Sequence, residues 1–458
     1  MSESNSFKSS GTGTLSRRKM LKWMAGGAAG ALLAACSPAA TEAPKSAVTS
    51  APAATKVPPA KEVTLKFLSP ELGSGVLEWF EKEVVPSFAT KNPGLKVEFI
   101  SSDYGKINEQ LLAGFAAGDP PDLFEHGSAA SGASWAASGQ TLALDTYFKT
   151  LTNTNDYYDV ALKTAYFGGK LFSMPRLVEP TALIYRKDFF KEAGLDPEKP
   201  PKTWEELRDT AKKLTKVDGG KMTRAGYDLP TTSWGGVQMG WFPFLHQNGA
   251  SILTEDMKSC GFDTDAGIEA MTYYHDLLWK EKVSVLGGIP TGEGSPNAVV
   301  AGVAAMGCSN PSALVHLKKN FQAVIPNFGV AQPTTRVRQA TMLGVSRTFI
   351  SKTSKNQDTA WNFLVFTHSL PNMVSRYKLA GSIPPLKSFA ETPEAKSDVL
   401  FQSFLNNVQF GVQWPPVAKW NDIRAFFTKM SDAFLAQDGP VNTIVKDTAK
   451  EINKILQS

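Results

Sequence analysis

The sequence predicts an α/β protein built as two lobes, each a sheet flanked by helices, and two observations carry that expectation. Short apolar strands alternate with amphipathic helices from residue 63 onward, and the alternation continues to the C-terminus. At 458 residues the chain exceeds what one hydrophobic core accommodates, so two compact units fit best.

Each element follows from its local pattern. Val63-Thr64-Leu65-Lys66-Phe67-Leu68 alternates apolar and polar side chains and reads as a strand. Val76, Leu77, Phe80, Val84 and Val85 then recur at helical spacing. Beyond the turn at Asn92-Pro93-Gly94, Leu95 to Ile100 forms a second strand, and Ile107, Leu111, Leu112 and Phe115 mark a second helix. Asp122-Leu123-Phe124 is a short third strand. Such an order builds a parallel sheet covered on both faces, with ligands bound beyond the carboxyl ends of its strands. That rule singles out Glu125 and His126. Leu183-Ile184-Tyr185 is a further strand, and Thr203 with Glu206 forms a capping box at the start of a helix. Helical spacing returns at Ile268, Met271, Tyr274, Leu277 and Leu278, at Trp361, Leu364 and Val365, and from Val441 to Ile455.

The N-terminus is a targeting segment. Ser16-Arg17-Arg18-Lys19-Met20-Leu21-Lys22 is a twin-arginine start, and the apolar run from Met24 closes on Leu33-Ala34-Ala35-Cys36. The run is shorter than the roughly 20 residues a membrane span needs. Residues 1–36 are therefore expected to be a lipoprotein signal, with Cys36 lipidated and the mature protein held outside the cytoplasm on the membrane. Residues 37–60, nearly all Ala, Pro, Ser, Thr and Val, make a flexible tether with a reach of roughly 25–30 Å.

Composition excludes several classes. A hydrophobic content of 42%, a charged content of 20% and a net charge of +5 belong to a soluble globular body, with no basic stripe for nucleic acid. No phosphate loop, dinucleotide fingerprint or nucleophile elbow is present. His126, His246, His275, His316 and His368 lack metal-ligand spacing, so neither metal nor cofactor is expected. Cys260 and Cys308 enter a disulfide-permissive space, but their pairing depends on a Cα separation that sequence does not set. A glycoside hydrolase, needing only two carboxylates, stays open as an alternative, as does a lipoprotein with no transport role.

Four stretches resemble the family-1 extracellular solute-binding proteins of ABC importers, the group that includes maltose-binding members. They are Phe88-Ala89-Thr90-Lys91-Asn92-Pro93-Gly94, Leu111 through Gly118-Asp119-Pro120-Pro121-Asp122, Tyr185 through Leu195 with Pro200-Pro201-Lys202-Thr203-Trp204-Glu205-Glu206-Leu207, and Ala301 to Met306 ahead of Ile350 to Asn356. The resemblance implies a two-lobed periplasmic-binding-protein fold whose hinge closes on a solute, most readily a mono- or oligosaccharide, delivered to a permease. It assigns residues 61–180 and 336–395 to one lobe, and 181–335 and 396–458 to the other.

A sugar site needs flat aromatics for C–H faces and planar polar groups for hydroxyls. Of ten tryptophans, Trp79, Trp204, Trp279 and Trp361 sit in helical apolar patterns and read as packing residues. The resemblance points to Trp234, in a loop of hydroxyls and glycines, and to Trp414 and Trp420 around Pro415-Pro416, with Trp241 as a further candidate. Glu179 aligns on a cleft carboxylate of the maltose-binding members. Arg176 is a second polar candidate, and a hinge salt bridge between the two is the competing use. Glu125, His126 and Ser312 depart from that pattern, which carries a tryptophan near the first two and another where Ser312 stands, so maltodextrin is not the expected solute.

Overall fold

The computed structural model describes residues 62–73, 75–231, 237–291 and 297–458. The strands are β1 (Val63–Ser69), β2 (Leu95–Ser101), β3 (Leu123–His126), β4 (Met174–Pro180), β5 (Ala182–Arg186), β6 (Lys216–Asp218), β7 (Lys221–Asp228), β8 (Ala304–Ser309), β9 (Phe328–Ala331), β10 (Thr341–Ile350) and β11 (Gly411–Val412). They fall into two main sheets. One runs β11-β10-β3-β1-β2, with β4 also on β10, and the other runs β9-β5-β8-β7-β6.

The expected βαβ start is present. β1 lies parallel to β2 in an unbroken register from Val63 opposite Leu95 to Ser69 opposite Ser101, and parallel to β3 on its other side. The sheet is mixed, however, because β10 returns antiparallel to both β3 and β4. The helix after β1 is split, as Val76–Trp79 and Val85–Ala89 flank a π turn over Phe80–Val84. Pro86 lacks the N–H that a regular α-helical ladder requires there. Its apolar face puts Phe80 edge-on to Phe67 and closes the core of the first sheet.

Helices α1 (Ile107–Ala116) and α2 (Ala129–Ala137) belong to the first sheet, and α3 (Trp204–Leu214) and α4 (Asp265–Trp279) cover the second. At α3 the Thr203 hydroxyl accepts from the Glu206 N–H at 3.1 Å, as expected of a capping box. Glu206, however, returns its carboxylate to the N–H of Lys202 at 2.7 Å, one residue before the cap. Gly226 on β7 lets α3 approach so closely that a Cβ there would sit 1.9 Å from the Ala211 carbonyl oxygen. Only glycine fits.

The chain passes between sheets at Thr181, between β4 and β5, and again ahead of Thr341, which opens β10. These crossovers are tied together. Thr181 N–H donates to the Met342 carbonyl at 2.9 Å, and the Thr341 hydroxyl donates to the Thr181 carbonyl at 3.0 Å. Both threonines are buried. β11 pairs with Thr341 and Met342 and so extends the first sheet, although residues 396–458 were expected in the second lobe. The chain crosses once more before α5 (Trp420–Phe434) and α6 (Val441–Gln457), which share a core with α4 around Tyr274, Phe427 and Val445. Trp79, Trp204 and Trp361 are buried, and Trp279 packs against the core of the second sheet.

Candidate functional site

A cavity of about 370 Å³ opens where the crossovers meet the carboxyl ends of β2 and β3. His126, Glu179, Trp414 and Trp420 line it together.

His126 ends β3, and Ser128 caps α2 by accepting the Ser131 N–H at 3.1 Å. The Ser128 N–H donates to His126 Nδ1 at 2.9 Å, which places the ring hydrogen on Nε2. Burial first, and then the positive charges of Arg347 and Arg424, push the imidazole down to about 4. At neutral pH it is an uncharged donor, held edge-on between Tyr104 and Trp135.

Glu179 lies on β4 with its carboxylate in no hydrogen bond or ion pair among the described residues. Burial raises it to about 7, Glu71 adds to the rise, and Arg176 opposes it. The group changes charge near neutrality. Gly344 opposite it on β10 leaves the room, since a Cβ there would stand 3.2 Å from the Glu179 Cβ.

Trp414 and Trp420 are 7% and 3% exposed, so most of each ring is packed into the core and only a small part of it meets the cavity. Trp414 packs on Phe242 at 4.3 Å and on Trp420 at 5.2 Å, and Trp420 stacks on Phe427 at 5.9 Å. This aromatic pile makes a stiff apolar wall.

Glu125 and Arg176 are placed elsewhere. Both are buried beneath the cavity in a four-charge cluster with Glu71 and Arg376. Arg176 Nε stands 2.7 Å from Glu125 Oε1, the Ser69 hydroxyl donates to Glu125 Oε2 at 2.6 Å, and Arg176 pairs with Glu71 through Nη2. Arg376 stands 3.6 Å from Glu125 and 3.7 Å from Glu71. Burial alone would raise the Glu71 carboxyl, but Arg176 and Arg376 overcome it and hold the group down at about 2. The cluster touches the cavity through Glu71 Oε1, which accepts from Tyr104 and, at 2.6 Å, from Ser346, both cavity-lining residues. The competing use, a salt bridge between Arg176 and Glu179, does not form, because Glu71 and Glu125 occupy the guanidinium.

Trp241 is fully buried in the core of the second sheet and does not line the cavity. Ser312 opens a helix over Ser312–Asn320, donates to Asn310 Oδ1 and is not among the lining residues. Trp234 and Cys36 lie outside the described residues. Cys260 and Cys308 are both free thiols.

Sequence reasoning passed over Tyr104, Ser346, Gln413 and Arg424, all lining residues. Two were within reach. Tyr104 follows the carboxyl end of β2, where the open-sheet rule already pointed, and Arg424 lies one helical turn beyond Trp420 on α5. Ser346 and Gln413 carried no local signal.

A stretch of 190 residues, 40% of this chain, is 31% identical to the sn-glycerol-3-phosphate-binding periplasmic protein of Escherichia coli strain K12, and spans 40% of that relative's length. The fold matches an ABC transporter solute-binding protein from Thermotoga lettingae bound with alpha-D-tagatose, at a TM-score of 0.74 and 23% identity over 86% of this chain and 99% of that one. It also matches the sugar-binding protein MalE from Xanthomonas citri, at a TM-score of 0.73 and 20% identity over 86% and 97%. Residues 69–367 match the sequence profile of the bacterial extracellular solute-binding proteins, and the chain belongs to that family.

Proposed function

We propose that this protein captures a carbohydrate-like solute in the cavity between its lobes and delivers it to the permease of an ABC importer. The observation that carries the reading is the juxtaposition of an unpartnered carboxylate, Glu179, with the aromatic wall of Trp414 and Trp420. A sugar presents apolar C–H faces to such a wall and hydroxyls to such a carboxylate, and hydrogen bonds to an ionised acceptor are the stronger kind. The tagatose-bound and MalE neighbours are named as sugar binders, which supports the same reading.

In this reading Thr181 and Thr341 mark the hinge, and the lobes comprise residues 61–180 with 336–395 and residues 181–335 with 396–458, with β11 lent to the first sheet. Glu125 and Arg176 brace the floor of the cavity, and Trp234 is retained as a solute contact. The protein acts by binding and not by catalysis. Glu179 is the sole carboxylate lining the cavity among the described residues, whereas glycoside hydrolysis calls for a pair. Cys36 carries the lipid that holds the protein near its permease. Among the described residues no helix is long and apolar enough to cross a membrane.

The test is a thermal-shift screen against sugars and polyols, followed by calorimetry on Trp420→Ala. A solute that binds only the folded state raises the melting temperature, and loss of the ring weakens binding by about tenfold to a hundredfold. Small-angle scattering should show a smaller radius of gyration with solute. A folded Trp420→Ala protein that binds as tightly as the parent would count against this site.

A further inference from the structure

One wall of the cavity gathers donors and positive charge. His126 is 5% exposed, its Nδ1 is committed to the Ser128 N–H, and its Nε2–H has no partner among the described residues. Beside it α2, nine residues long, begins at Ala129 and turns the positive end of its dipole toward the cavity, which Gly127, Ser128 and Ala129 line. Arg424 also lines the cavity, and its charge and that of Arg347 bear on His126 more strongly than the opposing charge of Glu71.

Behind this wall Arg347 is 1% exposed and makes no ion pair among the described residues. Its donors go to neutral acceptors: Thr164 Oγ1 at 3.0 Å, the Gly127 carbonyl at 3.0 Å, the Val345 carbonyl at 2.7 Å and Gln413 Oε1 at 2.8 Å. A buried guanidinium without a counter-charge is costly, and nearly every buried charge is paired. The bond to Gln413 also decides that amide's orientation. Arginine only donates, so Oε1 must face it and Nε2 must turn away. That Nε2 is buried and unpartnered, on a residue that lines the cavity.

We propose that the solute carries an oxyanion, a carboxylate or a phosphate, which docks on His126 Nε2, Gln413 Nε2 and Arg424 and supplies the counter-charge Arg347 lacks. The inference rests on the reading that this cavity captures a solute, and narrows the class from carbohydrate-like solutes in general to acidic sugars or polyol phosphates. Glu179 and the tryptophan wall then serve the hydroxyl-bearing remainder of the same molecule.

The experiment is calorimetry with matched probes: glucose, glucuronate and glucose 6-phosphate, galactose and galacturonate, glycerol and glycerol 3-phosphate, with inorganic phosphate alone. At least one acid should bind about tenfold or more tightly than its neutral partner, as a charge-assisted contact requires, and its affinity should fall as salt rises. Whether uronates or phosphates carry the preference identifies the oxyanion. Gln413→Glu should abolish the preference, because it gives Arg347 a carboxylate of its own and turns a negative group toward the solute, while leaving the melting temperature equal or higher. Gln413→Leu, which removes the donor and adds no charge, should reduce the preference. Neutral sugars that bind as tightly as their acids would overturn the inference and leave solute capture standing. An acid preference untouched in both Gln413 variants would also overturn it. If no probe binds, the inference and the capture reading fall together.

Discussion

Replacing Glu125 by glutamine preserves its shape and lets the Ser69 hydroxyl keep its acceptor, but removes one of two negative charges from a buried group of four. Arg176 and Arg376 would then share Glu71 alone. Glu125 is 1% exposed and the two arginine side chains are 4% and 7% exposed, so water cannot compensate. Breaking a buried pair by removing one partner costs about 3–5 kcal/mol. At the 2–4 °C per kcal/mol expected of a domain this size, the melting temperature should fall by roughly 10 °C. The assay is thermal and urea unfolding of parent and variant at neutral pH, with the urea slope unchanged if only native-state stability is altered. Adding Arg376→Met to Glu125→Gln restores charge balance and should recover part of the loss. A drop below about 1 kcal/mol, or a double variant no more stable than the single, would refute the argument that charge balance holds this floor together. The cluster also predicts acid sensitivity. Glu71 is held at about 2 against an ordinary 4.5, so its contribution is present above about pH 4.5 and is lost as the pH falls toward 2.

Three further outcomes are expected. Glu179 is raised to about 7, so its contribution to stability is present below about pH 4.5 and is lost as the pH rises through 7. Glu179→Gln should therefore gain on the parent between pH 5 and 8 in melting experiments, while the parent's affinity for a hydroxyl-bearing solute should rise over the same interval. Gly226→Ala drives a methyl group into the Ala211 carbonyl and should either shift α3 or cost several kcal/mol, read as a fall in the unfolding midpoint; a change within about 0.5 kcal/mol would contradict the contact. Cys36→Ser should leave an unprocessed precursor or release the protein from membranes, and a processed, membrane-bound variant would defeat the lipid-anchor reading.

Elements set by neighbours in sequence were legible from it. The strands at 63–69 and 95–101, α1, the Thr203 cap and the C-terminal helix all declare themselves by spacing of apolar residues over one or two turns, because side-chain direction repeats every two or 3.6 residues whatever the rest of the chain does. The carboxyl-end rule likewise placed His126 beside the cavity, and family likeness placed Glu179, Trp414 and Trp420 there. What sequence does not encode locally is which distant residue completes a pair. Glu71 meets Ser346 across 275 positions and Arg347 meets Gln413 across 66, and neither contact has a periodicity to reveal it. Glu125 sits one residue from His126, yet strand alternation sends the two side chains to opposite faces, Glu125 to the buried arginines and His126 to the cavity. Sequence established a two-sheet binding fold and its carboxyl-end cleft; tertiary packing decided which charges face the cavity and which neutralise one another beneath it, because that choice depends on burial and partners that only the folded chain brings together.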